Sequence, residues 1–195
     1  MNSVDFTKWF EIWTSEIQTH KIHLSDLDNA IGDGDHGFNM AKGVAAYQEA
    51  HLNKQDLSIG DECKLIGMSM LSKVGGASGP LYGSAFLAMA KSFGDTKEIT
   101  HDQLVAALTA GVESIMYRGK ASRYEKTMID VWLPVIESLK QNNLTEEMID
   151  SFVNETGPLK ATKGRAAYLG DRSIGHIDPG SFSSGLLFKA LLKLI

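Results

Sequence analysis

The sequence predicts an all-α protein, and three observations carry that prediction. Apolar residues recur three and four positions apart through most of the 195 residues, which is the spacing of one helix face. The 19 glycines gather in a few short stretches between these segments. The alternation typical of strands is nearly absent. We therefore expect one domain over residues 1–195, built from antiparallel helices that share a single core.

Eight helices are expected along the chain. The first carries an aromatic stripe at helical spacing from Phe6 onward and ends before Gly32. The fourth follows Gly79-Pro80 and, because its apolar residues lie nearly all round, is expected to be the most buried. Between these two, amphipathic helices are predicted over residues 38–52 and 58–74.

The second half of the chain begins with a capping box. Thr100 and Gln103 mark the start of a fifth helix, which Gly119 is expected to end. Pro134 removes one backbone donor from the sixth helix and is expected to kink it. The sixth, seventh and eighth helices are predicted over residues 127–141, 145–162 and 181–195.

Composition and charge exclude several classes of function. The chain has 24 acidic and 19 basic residues, a net charge of −5, and no basic stripe that could hold a nucleic-acid backbone. No apolar run is long enough to span a bilayer, and residues 1–7 lack the core of a secretory leader. Cys63 is the only cysteine, so it is expected to pack as a small buried hydrophobe. We expect a cytoplasmic protein without nucleic-acid or membrane partners.

The densest chemistry lies in the stretch LDNAIGDGDHGFN, where Asp28, Asp33 and Asp35 crowd the end of the first helix. Crowded carboxylates repel each other, whereas a hard divalent cation converts the same cluster into an oxygen cage. Mg²⁺ suits a flexible loop with few protein oxygens, because it keeps water and takes phosphate ligands. An EF-hand is excluded because its twelfth loop position lacks glutamate. A solvated acidic turn is the alternative.

The sequence contains two glycine patterns, one within the acidic loop and one at residues 75–78. Gly32, Gly34 and Gly37 match the dinucleotide-binding order, but no strand precedes them, so we reject that interpretation. The turn at residues 75–78 stands directly before a helix start, where free amides favour anions. Taken alone it fits helix packing equally well, but together with an acidic metal loop it favours phosphate. It lacks the Lys-Ser/Thr of a Walker A loop.

A third dense stretch covers residues 163–180. Arg165 could clamp a phosphate through its fork of donors, and the residues 178–180 could border a base or ribose pocket. For His176 a structural hydrogen bond is favoured over metal ligation, because no second histidine stands at ligand spacing. Asp171 and Arg172 are most simply a surface ion pair.

Four motifs in one order resemble the nucleotide-binding L subunits of dihydroxyacetone kinases. They are LDNAIGDGDHGFN, GGASGPLYG, RGKA with KTMID, and GRAAYLGDRSIGHIDPG, between Asp26 and Ser184. The resemblance implies an eight-helix antiparallel barrel with a nucleotide at one end. For a free-standing chain it also implies tightly bound ADP as a cofactor. A phosphohistidine-carrying subunit of the phosphotransferase system (M type) rephosphorylates this ADP in place. The phosphoryl group then passes to dihydroxyacetone on a substrate-binding subunit (K type).

The resemblance also assigns the site, residue by residue. Asp28, Asp33 and Asp35 match the ligands of two Mg²⁺ ions. No nucleophile or general base is expected in this chain. The matches to the family's nucleotide contacts are His36, Gly37, Phe38, Asn39, Ala77, Ser78, Gly119, Met128, Arg165, Asp178, Pro179 and Gly180.

Two departures from the family pattern concern the edge of this pocket. Residues 123–125 read Arg-Tyr-Glu where relatives have a glycine and an acidic residue, and Ala167 replaces a serine. The pocket rim is therefore expected to differ from that of relatives. Two other functions stay open: a kinase subunit that exchanges ATP freely and serves another acceptor, and a regulatory module that is read through its bound nucleotide.

Overall fold

The computed structural model describes residues 1–195 and contains eight α-helices and one 3₁₀ segment. The α-helices are α1 (Ser3–Ile31), α2 (His36–His51), α3 (Ile59–Lys73), α4 (Ser78–Phe93), α5 (His101–Gly119), α6 (Ile129–Lys140), α7 (Glu146–Asn154) and α8 (Pro179–Leu192). The 3₁₀ segment spans Arg165–Ser173, between α7 and α8. The only β pairing is an isolated bridge between Asn2 and Glu98, so the all-α prediction is confirmed.

The eight helices form a closed antiparallel barrel. Each helix packs against the next one along the chain, and α8 packs back against α1. The connections that lead into α2, α4, α6 and α8 meet at one end of the barrel, where they surround a common cavity. The predicted eight-helix barrel is confirmed, and its geometry places the loops singled out in the sequence at one end.

Two indole rings of α1 fasten the barrel where it closes. Trp9 and Trp13 are fully buried in a hydrophobic cluster of 41 residues. Their Nε1 groups donate hydrogen bonds to backbone carbonyls of α8, at 2.8 Å to Leu187 and 3.3 Å to Ser183. The aromatic stripe predicted for the first helix therefore supplies both apolar contact and direct hydrogen bonds to the last one.

Two details of the predicted helices are wrong. The most buried helices are not α4, in which 7 of 16 residues are buried, but α6, in which 9 of 12 are buried, and α8, in which 10 of 14 are buried. The reason is that α8 packs against α1, α6 and α7, whereas α4 lies mainly between α3 and α5. The seventh helix ends at Asn154 instead of residue 162, because Gly157-Pro158 cannot continue it. The expected end of the fifth helix is confirmed, since Gly119 is the last residue of α5 and Lys120 after it adopts the left-handed conformation.

Cys63 is buried in the core, as predicted for a lone cysteine. Pro134 lies inside α6, and the carbonyl oxygen of Pro134 accepts a hydrogen bond from Ser138 Oγ at 2.9 Å. None of the helices combines the length and the apolar character that crossing a bilayer would require.

Candidate functional site

A cavity of about 360 Å³ opens at the end of the barrel where the motif loops meet. This volume is in the range of small-molecule sites. The predicted residues that line it are Asp28, Asp33, Asp35, His36, Ala77, Ser78, Gly119, Met128, Arg165, Asp178, Pro179 and Gly180. Gly37, Phe38 and Asn39 do not line it. The fold thus brings four separated sequence motifs to one cavity.

The acidic cluster forms around the junction of α1 and α2. One carboxylate oxygen from each of Asp28, Asp33 and Asp35 lies within 4.8 Å of the others. Asp28 is in the last turn of α1, and its Oδ2 accepts hydrogen bonds from the amides of Asp35 at 2.8 Å and His36 at 3.1 Å. Gly34 adopts φ 76° and lets the chain turn between the helices. Asp28 therefore fixes the loop that carries the other two carboxylates.

This donor set fits a hard divalent cation. The three side chains offer only oxygen atoms, which are the ligands that Mg²⁺ prefers. A β-carbon at Gly32 would overlap Oδ1 of Asp28, so glycine leaves the space that this carboxylate occupies. The one cation that contacts the cluster is the guanidinium of Arg165, which pairs with Asp33. One positive charge leaves the cluster negative, and a bound cation would neutralise it.

The residues that follow the acidic loop support the site from behind. A methyl group at Gly37 would overlap the carbonyl oxygen of Lys21, so only glycine lets α2 begin this close to α1. Phe38 is 50% exposed and points away from the core. The side-chain amide of Asn39 lies beside Gly75, where an added β-carbon would be 3.1 Å from Nδ2. Asn39 therefore packs behind the glycine turn instead of facing the cavity.

His36 joins the acidic loop to the glycine turn. Its Nδ1 lies 2.9 Å from Ser78 Oγ, and its Nε2 lies 3.0 Å from Ser183 Oγ. Burial lowers the pKa of the imidazole to about 4, although the charges of Asp28 and Asp35 oppose that shift. His36 is therefore neutral at pH 7, so that one ring nitrogen donates and the other accepts.

The hydrogen bonds continue from His36 into the core. Ser183 Oγ lies 2.8 Å from the hydroxyl of Tyr82, which lies 2.8 Å from Ser184 Oγ. Ser184 Oγ in turn accepts a hydrogen bond from Trp132 Nε1 at 3.0 Å. Burial raises the pKa of Tyr82 well above its ordinary value, so its hydroxyl stays protonated. A buried polar chain thus links the start of α4 to α6 and α8.

The glycine turn presents the N-terminus of α4 to the cavity. Gly76 adopts φ 66°, and an added β-carbon there would meet no atom within 4 Å. No side chain caps the first turn of α4, which leaves its amides free. Free amides at a helix start, together with the Ser78 hydroxyl, form an environment that suits a phosphate group.

The opposite wall of the cavity is partly apolar and contains one buried carboxylate. Leu81, Ile115, Met128 and Ile129 supply the apolar lining. Asp178 caps α8, because its Oδ2 accepts a hydrogen bond from the Ser181 amide at 2.7 Å. Burial raises the pKa of Asp178 from 3.8 to about 6, although the hydrogen bonds from Ser181 oppose the shift.

Asp178→Asn is expected to stabilise the protein above about pH 6, the pKa of the folded carboxyl. Between pH 3.8 and about pH 6 the carboxyl is ionised in the unfolded chain but still protonated in the folded protein. The free energy of unfolding therefore falls as pH rises through this range. Asparagine removes the charge and keeps the capping acceptor. The gain should be about 1 kcal/mol at pH 7.5, allowing for residual solvent contact, and should vanish near pH 4.

Urea unfolding at several pH values, with nucleotide and metal removed, measures this difference. Asp171→Asn is the control, since Asp171 is exposed and pairs with Lys160 at 2.8 Å. The attraction to Lys160 lowers the pKa of Asp171, so its replacement should give no gain at high pH. A pH-independent effect of Asp178→Asn would contradict the assigned cause.

The third dense stretch forms the 3₁₀ segment and the residues that flank it. Arg165 reaches the cavity, where it contacts Asp33. Asp171 pairs with Lys160 instead of Arg172, so the predicted partner is wrong. The imidazole of His176 is exposed. The structural hydrogen bond of this residue involves its backbone carbonyl, which accepts from Lys126 Nζ.

The two departures from the family pattern lie near the rim. Glu125 accepts hydrogen bonds from the Ser122 amide at 2.6 Å and from Thr162 Oγ1 at 3.1 Å, which ties two rim loops together. The hydrogen bond from Ser122, more than any other interaction, lowers the pKa of Glu125. Ala167 does not line the cavity.

Sequence reasoning missed a buried lysine at this site. Lys126 lines the cavity, yet its side chain is only 1% exposed and its Nζ contacts four backbone carbonyls. The only signal was its place in the KTMID motif. Spacing alone could not show that its ammonium turns inward.

Comparison with known proteins identifies the family. The model of the DAK2 domain matches residues 30–193. The chain belongs to the DAK2 domain family. A DAK2 relative in Listeria innocua, the ADP-binding subunit DhaL of PEP-dependent dihydroxyacetone kinase 1, is 51% identical over 95% of this chain and 93% of its own length. The ADP-binding subunit DhaL of the PTS-dependent dihydroxyacetone kinase of Lactococcus lactis is 44% identical over the whole of both chains.

A solved DAK2-type structure shares the fold. The dihydroxyacetone kinase of C. freundii, crystallised in complex with AMP-PNP and Mg²⁺, aligns with a TM-score of 0.75 and 24% identity. The alignment covers 99% of this chain but 34% of that kinase, so this DAK2 chain spans about a third of the larger protein. The likeness supports the helical barrel.

Proposed function

We propose that this chain is the ADP-binding subunit of a phosphoenolpyruvate-dependent dihydroxyacetone kinase. In this role it holds the nucleotide through which a phosphoryl group moves from a phosphohistidine partner of the phosphotransferase system (M type) to dihydroxyacetone. The acceptor is held by a substrate-binding subunit (K type). The whole of residues 1–195 acts as one cytoplasmic nucleotide-binding domain, without nucleic-acid or membrane partners.

One observation carries the proposal: the acidic cluster and the free N-terminus of α4 line the same cavity. His36 joins the two, since it follows the acidic loop and lies 2.9 Å from Ser78 Oγ. Carboxylates and backbone amides in one site suit a ligand that carries both metal and phosphate. The two relatives named as ADP-binding subunits support the same assignment.

Each part of the cavity has a distinct role in this proposal. Asp28, Asp33 and Asp35 hold two Mg²⁺ ions, which neutralise phosphate charge and orient phosphate oxygens when bound. The amides at the start of α4 and the Ser78 hydroxyl donate hydrogen bonds to the phosphates. The apolar wall around Met128 contacts the base.

Arg165 completes the electrostatic environment. Its guanidinium contacts Asp33 and is 59% exposed, so the side chain is free to turn toward a phosphate once a cation occupies the cluster. Positioning and charge neutralisation account for most of the catalysis of phosphoryl transfer. No side chain of this cavity is assigned as nucleophile or general base, so the partner subunit activates the acceptor.

The release of bound nucleotide tests the proposal. The protein is purified without added nucleotide, dialysed extensively and denatured, and the released adenine nucleotide and magnesium are quantified. We expect stoichiometric ADP with magnesium, because a resident cofactor does not leave on dialysis. An empty protein that binds ATP reversibly would instead support a conventional ATP-using subunit with another acceptor. Retained nucleotide without phosphoryl transfer to or from the purified partners would support a regulatory module.

A further inference from the structure

Lys126 is a buried lysine whose ammonium is surrounded by backbone oxygens. Its Nζ donates hydrogen bonds to the carbonyls of Thr156 at 2.6 Å, Gly157 at 3.1 Å and Leu159 at 3.2 Å. A fourth acceptor is the carbonyl of His176. A lysine is almost never fully buried unless its charge is compensated. Here one ammonium joins its own segment to two others, which lie 30 to 50 residues later in the sequence.

Burial disfavours the charge of Lys126, and carboxylates and backbone oxygens around its ammonium compensate part of that cost. Burial lowers the pKa of the ammonium, whereas the carboxylates of Asp178 and Asp130 oppose that shift. The four carbonyls lie in the loops after α7 and before α8, outside both helices, so no helical amide pairs with them. The ammonium supplies donors that no helix provides in these two loops.

The backbone around Lys126 is held in a costly conformation. Lys126 has φ 61° and Tyr124 has φ 70°, which residues with a β-carbon seldom adopt. The carboxylate of Asp130 accepts hydrogen bonds from the amides of Tyr124 and of Thr127, the latter at 2.8 Å. Strain of this kind persists only where the surroundings over-determine the conformation, and it concentrates at functional sites.

Two of the segments that Lys126 joins contribute to one wall of the cavity, through residues 126–129 and 178–180, whereas residues 156–159 do not line it. Thr127 and Met128 follow Lys126 directly, and Asp178 follows the His176 carbonyl by two residues. The Asp178 amide donates to Thr156 Oγ1 at 3.2 Å, and Ser181 Oγ donates to the Thr127 carbonyl at 2.9 Å. The Lys126 ammonium is therefore at the centre of the contacts that set the distance between Met128 and Asp178.

We infer that Lys126 is a positioning residue for the nucleotide pocket: it holds the loops at residues 156–159 and 176–178 against residues 127–129. The inference rests on the proposed function. Lys126 acts through Met128 and the residues that begin α8, and the loss of its ammonium releases that wall of the cavity while the acidic cluster keeps its own hydrogen bonds.

The test compares Lys126→Met with a matched lysine at the other end of the barrel. Lys97 is the control, since its Nζ also bridges two loops by donating to a backbone carbonyl, that of Asp56, at 2.8 Å. ADP is titrated with Mg²⁺ into each nucleotide-free protein by calorimetry. We expect roughly tenfold weaker binding or more for Lys126→Met, and binding within about twofold of the original chain for Lys97→Met.

Hydrogen exchange without nucleotide separates positioning from general destabilisation. In Lys126→Met the amides of Gly175 and Asp178, which donate to Gly157 and Thr156, should exchange faster, while core amides of α3 and α4 keep their protection. Uniformly faster exchange over the whole chain would overturn the inference. Lys126→Gln, which retains two donors, serves the same comparison should the methionine variant fail to fold.

Chemical rescue gives a readout specific to the ammonium. Lys126→Ala removes three methylenes and the amino group, a volume that n-propylammonium matches. We expect n-propylammonium to restore ADP affinity and tetramethylammonium, which has no N–H donor, to have no effect. The inference would be overturned if both ions restored ADP affinity equally or if neither restored it. Unchanged ADP affinity in Lys126→Met would also overturn it. If the original chain itself binds no ADP, the proposed function fails and this inference fails with it.

Discussion

Asp33→Ala should abolish most nucleotide-dependent phosphoryl transfer while the barrel stays folded. The variant removes one of the three carboxylates whose oxygens lie within 4.8 Å of one another. Mg²⁺ is held by few protein oxygens, so the loss of one is not compensated by the others. We expect the transfer rate with purified partners to fall by roughly 100-fold or more, since even the residues that support metal ligands give losses of 10- to 100-fold.

The fold should tolerate this change. The Asp33 side chain is 38% exposed, and its one partner, Arg165, is 59% exposed, so little packing is lost. The free energy of unfolding should change by about 0.5 kcal/mol or less. Retained ADP, measured after dialysis and denaturation, should fall together with activity.

A matched exposed aspartate provides the control for Asp33→Ala. Asp171 also pairs with one basic side chain, Lys160, but lies outside the acidic cluster. Asp171→Ala should retain both nucleotide and transfer. Asp33→Asn, which keeps the size of the side chain but not the charge, should behave as Asp33→Ala. Stoichiometric ADP and full transfer in either Asp33 variant would show that the metal assignment is wrong.

Trp132→Ala should cause the largest loss of stability. Trp132 is fully buried, its ring meets Phe188 edge to face with centroids 5.0 Å apart, and its Nε1 donates to Ser184 Oγ at 3.0 Å. It also packs against Gly111 of α5, where an added β-carbon would lie 3.3 Å from Trp132 Cζ3. Removal of such a ring costs about 3–5 kcal/mol, because the cavity that remains cannot collapse fully.

Urea denaturation with a common slope measures this loss. Tyr117→Ala is the control, since this aromatic ring on α5 is 88% exposed and should change stability by about 0.5 kcal/mol or less. Trp132→Phe retains most of the apolar contact but removes the indole donor, so it should cost about 1–3 kcal/mol. Equal losses for the phenylalanine and alanine variants would assign the effect to the hydrogen bond instead of the packing.

The sequence predicted most of the fold because helical periodicity is a local property. The capping box at Thr100 and Gln103 and the end of α1 at Gly32 agree with the structure, since both depend on neighbouring residues. The acidic cluster was also predictable, because its three carboxylates occur within one loop. The closure of α8 against α1 was not implied by periodicity and came from the resemblance to the family.

What the sequence could not show depends on contacts between distant segments. The carbonyls that follow α7 bind Lys126, a residue about 30 positions earlier, and no pattern near α7 indicates this contact. The inward turn of the Lys126 side chain depends on the same distant contacts. The pairing of Arg165 with Asp33 joins residues 132 positions apart, which no local pattern encodes.

The hydrogen bonds between α1 and α8 have a consequence for the order in which the protein folds during synthesis. The hydrogen bond from Trp9 to Leu187 spans 178 positions, so a ribosome has released nearly the whole barrel before this contact can form. The same late helix supplies Ser183 to His36 and begins with the cavity residues Asp178, Pro179 and Gly180. Nascent chains that end before α8 therefore leave the indole groups of Trp9 and Trp13 without their acceptors and have no complete cavity. Ligand capture and the closure of α1 against α8 both depend on this late helix, so neither can precede its synthesis.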